Sequence, residues 1–306
     1  MNQAIIPNGV WPTMITPFTD ADALDFGALE RLVAWYLERG VDGLFAVCQS
    51  SEMFYLSLDE RIDLARAVVK LADGRVPVIA SGHVSDSLAA QADEVQRIAA
   101  TGVDAVVLVT NRFAAPGDAD AVWRENLERF MALIPADIAL GFYECPYPYK
   151  RLLSPDLLAW CAQTGRFLFL KDTSCDLDQM RAKQAAVAGS ALKLFNANAA
   201  TLLDSLKLGL AGYSGVMANF HPELYVWLWR NWAAQPGAAQ QMQNFLGAAS
   251  LVERQVYPVN AKYHLQLEGL PLGLHTRVRD AHDLTASARL EIEQLRALSR
   301  GIPSEG

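Results

Sequence analysis

The chain has 306 residues, 52% apolar and 20% charged, an ordinary balance for a globular protein with a large core. Its formal charge of −8 argues against nucleic acid or an acidic membrane as the main partner, since both demand clustered Lys and Arg, but not against a local basic pocket for a small anion. No apolar run approaches the roughly 18–20 residues of a membrane span, Met1–Val10 lacks the pattern of a signal peptide, and Cys48, Cys145, Cys161 and Cys175 fit no Cys-x-x-Cys or zinc spacing, so a cytoplasmic protein with free thiols and no metal is expected.

In chain order, the first apolar run is Trp11–Thr16. A helix is predicted over 25–39, where Phe26, Leu29, Leu32, Val33 and Tyr36 fall near one face and Gly40 stands at the C-terminal cap. A second run, Gly43–Val47, precedes Ser57-Leu-Asp-Glu60, the pattern of a capping box at a helix start. Further runs follow at Val76–Ala80, Ala105–Thr110, Ile138–Tyr143, Phe167–Lys171, Leu192–Asn196 and Gly212–Met217. Helical segments lie between them at 85–101, 119–134, 154–164, 176–188 and 198–209. The runs are mostly continuous rather than alternating, as in parallel strands covered on both faces. Eight strand–helix units point to an α/β fold, a closed (β/α)8 TIM barrel, with a doubly wound open sheet as the alternative. Past residue 220 no strand pattern continues; 221–233, 236–256 and 284–300 read as helices. The expected division is a barrel over 1–233 and a C-terminal helical extension over 234–306.

Barrel chemistry sits at the carboxyl ends of the strands. Lys171 ends the run Phe-Leu-Phe-Leu-Lys171, where apolar surroundings disfavour the ammonium and leave an amine able to attack a ketone; the plainer alternative is a lysine emerging into solvent. Lys193 begins the next strand and belongs to the opposite end. Tyr143 ends the neighbouring strand, within reach of an adduct on Lys171, or else is a core aromatic. The turn Cys48-Gln49-Ser50-Ser51-Glu52 offers hydroxyls and N–H groups to a carboxylate, or is a solvated loop. Thr173, Asn196, Asn198 and Ser214 are the remaining candidates for substrate binding. His83 reads mainly as a loop or packing residue, and Glu144 and Tyr147 as site or surface.

At these positions the chain resembles the dihydrodipicolinate synthase / N-acetylneuraminate lyase family. The resemblance rests on Gly9 through Thr16-Pro17-Phe18 with Asp25-Phe26 and Gly40-Val-Asp-Gly-Leu44; on Cys48-Gln-Ser-Ser-Glu52 with Leu56 and Glu60; on Tyr143-Glu-Cys-Pro146; on Leu170-Lys171-Asp-Thr-Ser-Cys-Asp176; and on Gly209-Leu-Ala-Gly212 through Asn219 and Pro222. It implies a barrel with a C-terminal helical extension, often a homotetramer, that handles 2-keto acids through a lysine imine without cofactor or metal. It makes Lys171 the imine lysine, Tyr143 the catalytic tyrosine, Ser50 a carboxylate-binding hydroxyl and Thr173 a substrate contact. Departures are Gln49 for the relay hydroxyl of the synthase branch, Asn111-Arg112-Phe113 for its Pro-Tyr-Tyr, Pro148 for its arginine, Ala197 for a glycine and Asn198 for an acid. The expected function is a Schiff-base aldolase or dehydratase acting on a 2-keto acid, foremost a 2-keto-3-deoxy sugar acid. The alternatives are a dihydrodipicolinate synthase, against which the relay and arginine departures weigh, and a non-catalytic keto-acid-binding barrel.

Overall fold

In the computed structural model, which describes residues 6–302, eight strands form one parallel sheet, and seven of them fall on the expected apolar runs. The strands are β1 (Gly9–Val10), β2 (Leu44–Val47), β3 (Val78–Ala80), β4 (Ala105–Val109), β5 (Leu140–Tyr143), β6 (Phe167–Asp172), β7 (Lys193–Asn196) and β8 (Gly212–Tyr213). From β2 to β8 each strand pairs with the next, and β1 pairs with β8. The ring closes because residues 10–14 also bond to β2: Asp42 N–H donates to Val10 O at 2.9 Å, Phe45 N–H to Pro12 O at 3.1 Å, and Met14 N–H to Phe45 O at 3.1 Å. A closed ring sets aside the open doubly wound sheet.

The first strand, Gly9–Val10, lies just ahead of the expected Trp11–Thr16 and does not continue into it, because Pro12 has no N–H to give to a ladder. Only an isolated parallel bridge, Thr13 to Phe45, continues it. At β8 the chain leaves the sheet after Tyr213 and turns into a 3-10 segment, Val216–Asn219, instead of running to Met217. Gly212 is required there, since a Cβ would lie 1.9 Å from the Gly9 carbonyl oxygen across the β1–β8 seam.

The surrounding helices are α1 (Phe26–Glu38), α2 (Leu58–Ala72), α3 (Leu88–Ala99), α4 (Asp120–Met131), α5 (Pro155–Gln163), α6 (Leu177–Ala186), α7 (Leu202–Lys207) and α8 (Pro222–Asn231). The capping box forms as read: Ser57 Oγ accepts from Glu60 N–H at 3.2 Å, and Glu60 Oε2 accepts from Ser57 N–H at 2.8 Å. Beyond the barrel lie α9 (Pro236–Ala249), a 3-10 turn (Ser250–Arg254), α10 (Val259–Leu267) and α11 (Ala286–Arg300). The expected single helix over 236–256 therefore ends seven residues early as an α-helix, and α10 was not anticipated. Val259, Asn260, Ala261, Lys262, His264 and Leu265 of α10 are all buried, so the helix has no polar face to reveal its period.

Inside the ring, Trp11, Phe45, Phe169 and Phe195 form an aromatic layer; Phe169 stacks on Phe195 at 4.6 Å and Trp11 lies 5.6 Å from Phe169. Each such ring, wholly buried, contributes roughly 1.5–3 kcal/mol. This layer plugs the barrel, so a ligand can sit only above it, at the strand ends. Tyr225 on α8 stacks on Tyr213 at 4.2 Å, so the aromatic segment Tyr225–Trp229 serves at least in part to pack the helix on the barrel.

Candidate active site

Lys171 is two residues past Phe169 on β6, one pleat above the aromatic layer and on the same inward face. It is 4% exposed, and its surroundings hold the ammonium below the ordinary lysine value, burial being the main cause. The β5–β6 register sets Tyr143 directly beside it. Lys171 Nζ stands 4.6 Å from the centre of the Tyr143 ring, which in turn lies edge-on to Phe45 at 5.9 Å.

The Tyr143 hydroxyl donates to Gln49 Oε1 at 3.3 Å, and the Cys145 thiol donates to the same oxygen at 3.3 Å. Burial raises the phenol well above its usual value and the Cys145 thiol to about 11, so both keep their protons at neutral pH. Gln49, a departure noted from the sequence, is thus the direct partner of the candidate acid. Ser50 Oγ bonds Thr13 Oγ1 at 3.2 Å. With Gln49, Tyr143, Lys171 and Thr173, Ser50 lines a cavity of about 320 Å³ at the carboxyl ends of the strands.

Four sequence candidates lie outside this lining. Ser51 folds back on its own turn, where Oγ accepts from Cys48 N–H at 2.6 Å and donates to Cys48 O at 2.8 Å. Asn196 was expected to face the substrate. Phe195 points inward, so the next residue points out, and Asn196 Nδ2 donates to Thr201 and Ser205, each at 3.0 Å, behind the sheet. Asn198 caps the following 3-10 turn through Ala200 N–H at 2.9 Å. Ser214 is fully buried away from the cavity.

The same alternation sends Glu144 and Asp172, the neighbours of Tyr143 and Lys171, to the outer side. There Lys183 of α6 bridges them, with Nζ 2.6 Å from Glu144 Oε1 and 2.6 Å from Asp172 Oδ2. Glu144 also accepts from Leu153 N–H at 2.8 Å and Thr173 N–H at 3.1 Å. It lines neither the site nor the surface. His83 is a packing residue: Val109 N–H donates to Nε2 at 2.6 Å, Nδ1 meets Gln91 at 3.0 Å, and burial lowers its pKa to about 4. Phe113 is buried against His83, Trp123 and Phe130. Arg112 pairs with Asp86 at 3.5 Å, and Lys193 bonds the Ile6 carbonyl at the other end of the barrel.

The extension supplies a wall that the sequence reading missed. Glu253, Tyr257, Val278 and Arg279 line the same cavity. Tyr257 accepts from Asn219 Nδ2 at 3.2 Å. Residues 277–278 are tied to the barrel mouth by Glu52, whose Oε2 accepts from Arg277 N–H at 2.6 Å and Val278 N–H at 3.1 Å. Lys262 of α10, buried 3.9 Å from Glu52 Oε1, supports that carboxylate. No local motif marks these residues; only their distant spatial convergence does.

A family model described as "Dihydrodipicolinate synthetase family" matches residues 6–295. A 4-hydroxy-tetrahydrodipicolinate synthase from Jannaschia sp. (strain CCS1) is 31% identical over 216 residues, covering 71% of this chain and 72% of its own. The crystal structure of dihydrodipicolinate synthase DapA-2 from Bacillus anthracis superposes with a TM-score of 0.86 at 22% identity, covering 98% of this chain and 99% of its own. YagE from E. coli K12, a prophage protein of the dihydrodipicolinic acid synthase family solved in complex with pyruvate, has a TM-score of 0.85 at 22% identity, covering 96% and 98%. The chain belongs to the dihydrodipicolinate synthetase family and is a class I, lysine-imine enzyme of the lyase type. That membership sets aside the non-catalytic barrel.

Proposed function

We propose that this enzyme binds pyruvate, or a close 2-keto acid, as an imine on Lys171 and adds it to an aldehyde, with Tyr143 moving the protons. The observation that carries the reading is the pairing of one buried, strand-end lysine with a protonated tyrosine whose ring centre lies 4.6 Å from its nitrogen. The desolvated amine attacks C2; Tyr143 gives a proton to the departing oxygen, which leaves as water. The Tyr143 phenolate takes a proton back from C3 to give the enamine, whose C3 attacks the aldehyde carbon. Tyr143 then protonates the new C4 oxygen and regains its proton from the water that hydrolyses the imine and frees Lys171. In this reading Ser50 binds the C1 carboxylate and Thr173 the chain beyond C2, a reading supported by both residues lining the cavity. The cycle needs no cofactor or metal.

For the aldehyde, the curated relatives favour the synthase reading, pyruvate with aspartate semialdehyde, over the sugar-acid lyase foremost in the sequence analysis. One observation keeps cleavage of a 2-keto-3-deoxy sugar acid as the second reading. Gln49 occupies the Tyr143 hydroxyl where the synthase branch has a relay hydroxyl, and Phe113 is buried away from the cavity. We further propose a cytoplasmic homotetramer in which 234–306 acts as an extension of the barrel 1–233; no helix among the described residues is long and apolar enough to cross a membrane. Borohydride reduction with pyruvate should add mass to the peptide bearing Lys171, and K171A should abolish it. A stable adduct on another lysine with Lys171 unmodified refutes the reading. Turnover of pyruvate plus aspartate semialdehyde, set against cleavage of 2-keto-3-deoxygluconate, decides between the two substrates.

A further inference from the structure

Three charged side chains line the cavity: Lys171, Glu253 and Arg279. In the proposed cycle Lys171 becomes the imine, so the charges left for the rest of the substrate are one carboxylate and one guanidinium, both from the extension. Two neighbouring arginines divide their work here. Arg277 is committed to structure: its guanidinium reaches Glu60 at 2.7 and 2.9 Å and Asp22 at 2.9 Å. Arg279 makes no ion pair among the described residues. Its backbone is nonetheless fixed, because its N–H donates to Thr276 Oγ1 at 3.0 Å and its carbonyl accepts from the same hydroxyl at 2.7 Å. With Glu52 holding residues 277 and 278, the loop presents Arg279 to the cavity from a pinned backbone. Glu253, on the 3-10 turn between α9 and α10, likewise has no ion-pair partner among the described residues.

We infer that Glu253 and Arg279 form a distal subsite, built by the C-terminal extension, that selects an aldehyde whose tail carries an anionic group and a nearby hydrogen-bond donor. A guanidinium offers paired N–H donors to a carboxylate, and a carboxylate accepts from a hydroxyl or ammonium. The subsite supplies a guanidinium in place of the arginine whose position Pro148 takes. It rests on the imine reading above and adds which residues set the aldehyde's identity.

The test uses pyruvate with three aldehydes: aspartate semialdehyde (carboxylate and ammonium), succinate semialdehyde (carboxylate alone) and butanal (neither). The parent enzyme should prefer them in that order. R279Q should lower kcat/KM for the two anionic aldehydes about 10- to 30-fold more than for butanal, the size expected of one charge-assisted contact. R279K, which retains the charge, should keep more of that preference. E253Q should shrink the advantage of aspartate over succinate semialdehyde by a similar factor. Equal effects of R279Q on all three aldehydes, or no effect, overturn the subsite, as does a parent enzyme that condenses none of them. A parent in which pyruvate cannot be trapped on Lys171 overturns the imine reading and the subsite together; trapping with unaltered discrimination in R279Q overturns the subsite alone.

Discussion

Replacing Lys183 by Met removes the single ammonium shared by Glu144 and Asp172 while retaining most of the side-chain volume. Both carboxylates are fully buried and each lies 2.6 Å from Lys183 Nζ. Breaking a buried pair by deleting one partner costs about 3–5 kcal/mol, because a charge is left uncompensated in a medium that solvates it poorly. Here two carboxylates are orphaned, so the upper end of that range is expected at pH 8. The loss should shrink at lower pH. Burial, opposed by Lys183 and reinforced by Asp172, already raises Glu144 to about 7 in the parent. A carboxyl whose folded value lies above its unfolded value makes the folded state bind more protons, so stability falls as pH rises through that window and recovers as pH falls. Without Lys183 the window extends upward, and at pH 6 Glu144 enters the fold protonated. Urea unfolding of the parent, K183M and K183M/E144Q at pH 6 and pH 8 reads this directly. K183M should show its full deficit at pH 8 and a smaller one at pH 6, and E144Q should restore part of it. A deficit below about 1 kcal/mol at pH 8, or one equal at both pH values, refutes the buried-charge reasoning. Glu144 and Asp172 directly follow Tyr143 and Lys171, so folded K183M should also trap pyruvate more slowly.

Three further outcomes are expected. Y143F should lower kcat by about 10²–10⁴-fold, the usual worth of a positioned acid–base group, while pyruvate trapping persists more slowly; near-normal turnover rules out Tyr143 as the acid. N196A should cost about 1–3 kcal/mol of stability through the Thr201, Ser205 and Asn198 partners it strands, with KM nearly unchanged, and a selective KM defect on long substrates would return Asn196 to the site. Sedimentation should show a tetramer at micromolar concentration, and monomer alone would count against the proposed assembly.

The sequence alone determined the parallel α/β architecture, because strands covered on both faces read as short apolar runs and the helices between them keep one polar face. It also put Lys171 and Tyr143 at or beside the ends of their strands, since an apolar run stops where its strand does, and strand ends are where a filled barrel leaves room for a ligand. What it left open was which face each strand-end residue takes. Continuous apolar runs carry no polar alternation to phase them, so Asn196 was read as facing the substrate and Glu144 as site or surface, although both point outward. That choice is made by the tertiary packing: Phe195 must join the aromatic plug, Asn196 is therefore turned toward α7, and Lys183 is brought behind β5 and β6. Hydrogen bonding at Pro12 likewise left β1 ahead of the expected run, and β8 stops after the close approach at the Gly212 seam, short of Met217. The far wall of the cavity lay furthest from view. Glu253, Tyr257 and Arg279 are more than 80 residues from Lys171 and belong to a segment without strand period or motif; only the docking of α10 through Lys262 and Glu52, and the pinning of the 276–279 loop, brings them to the mouth of the barrel.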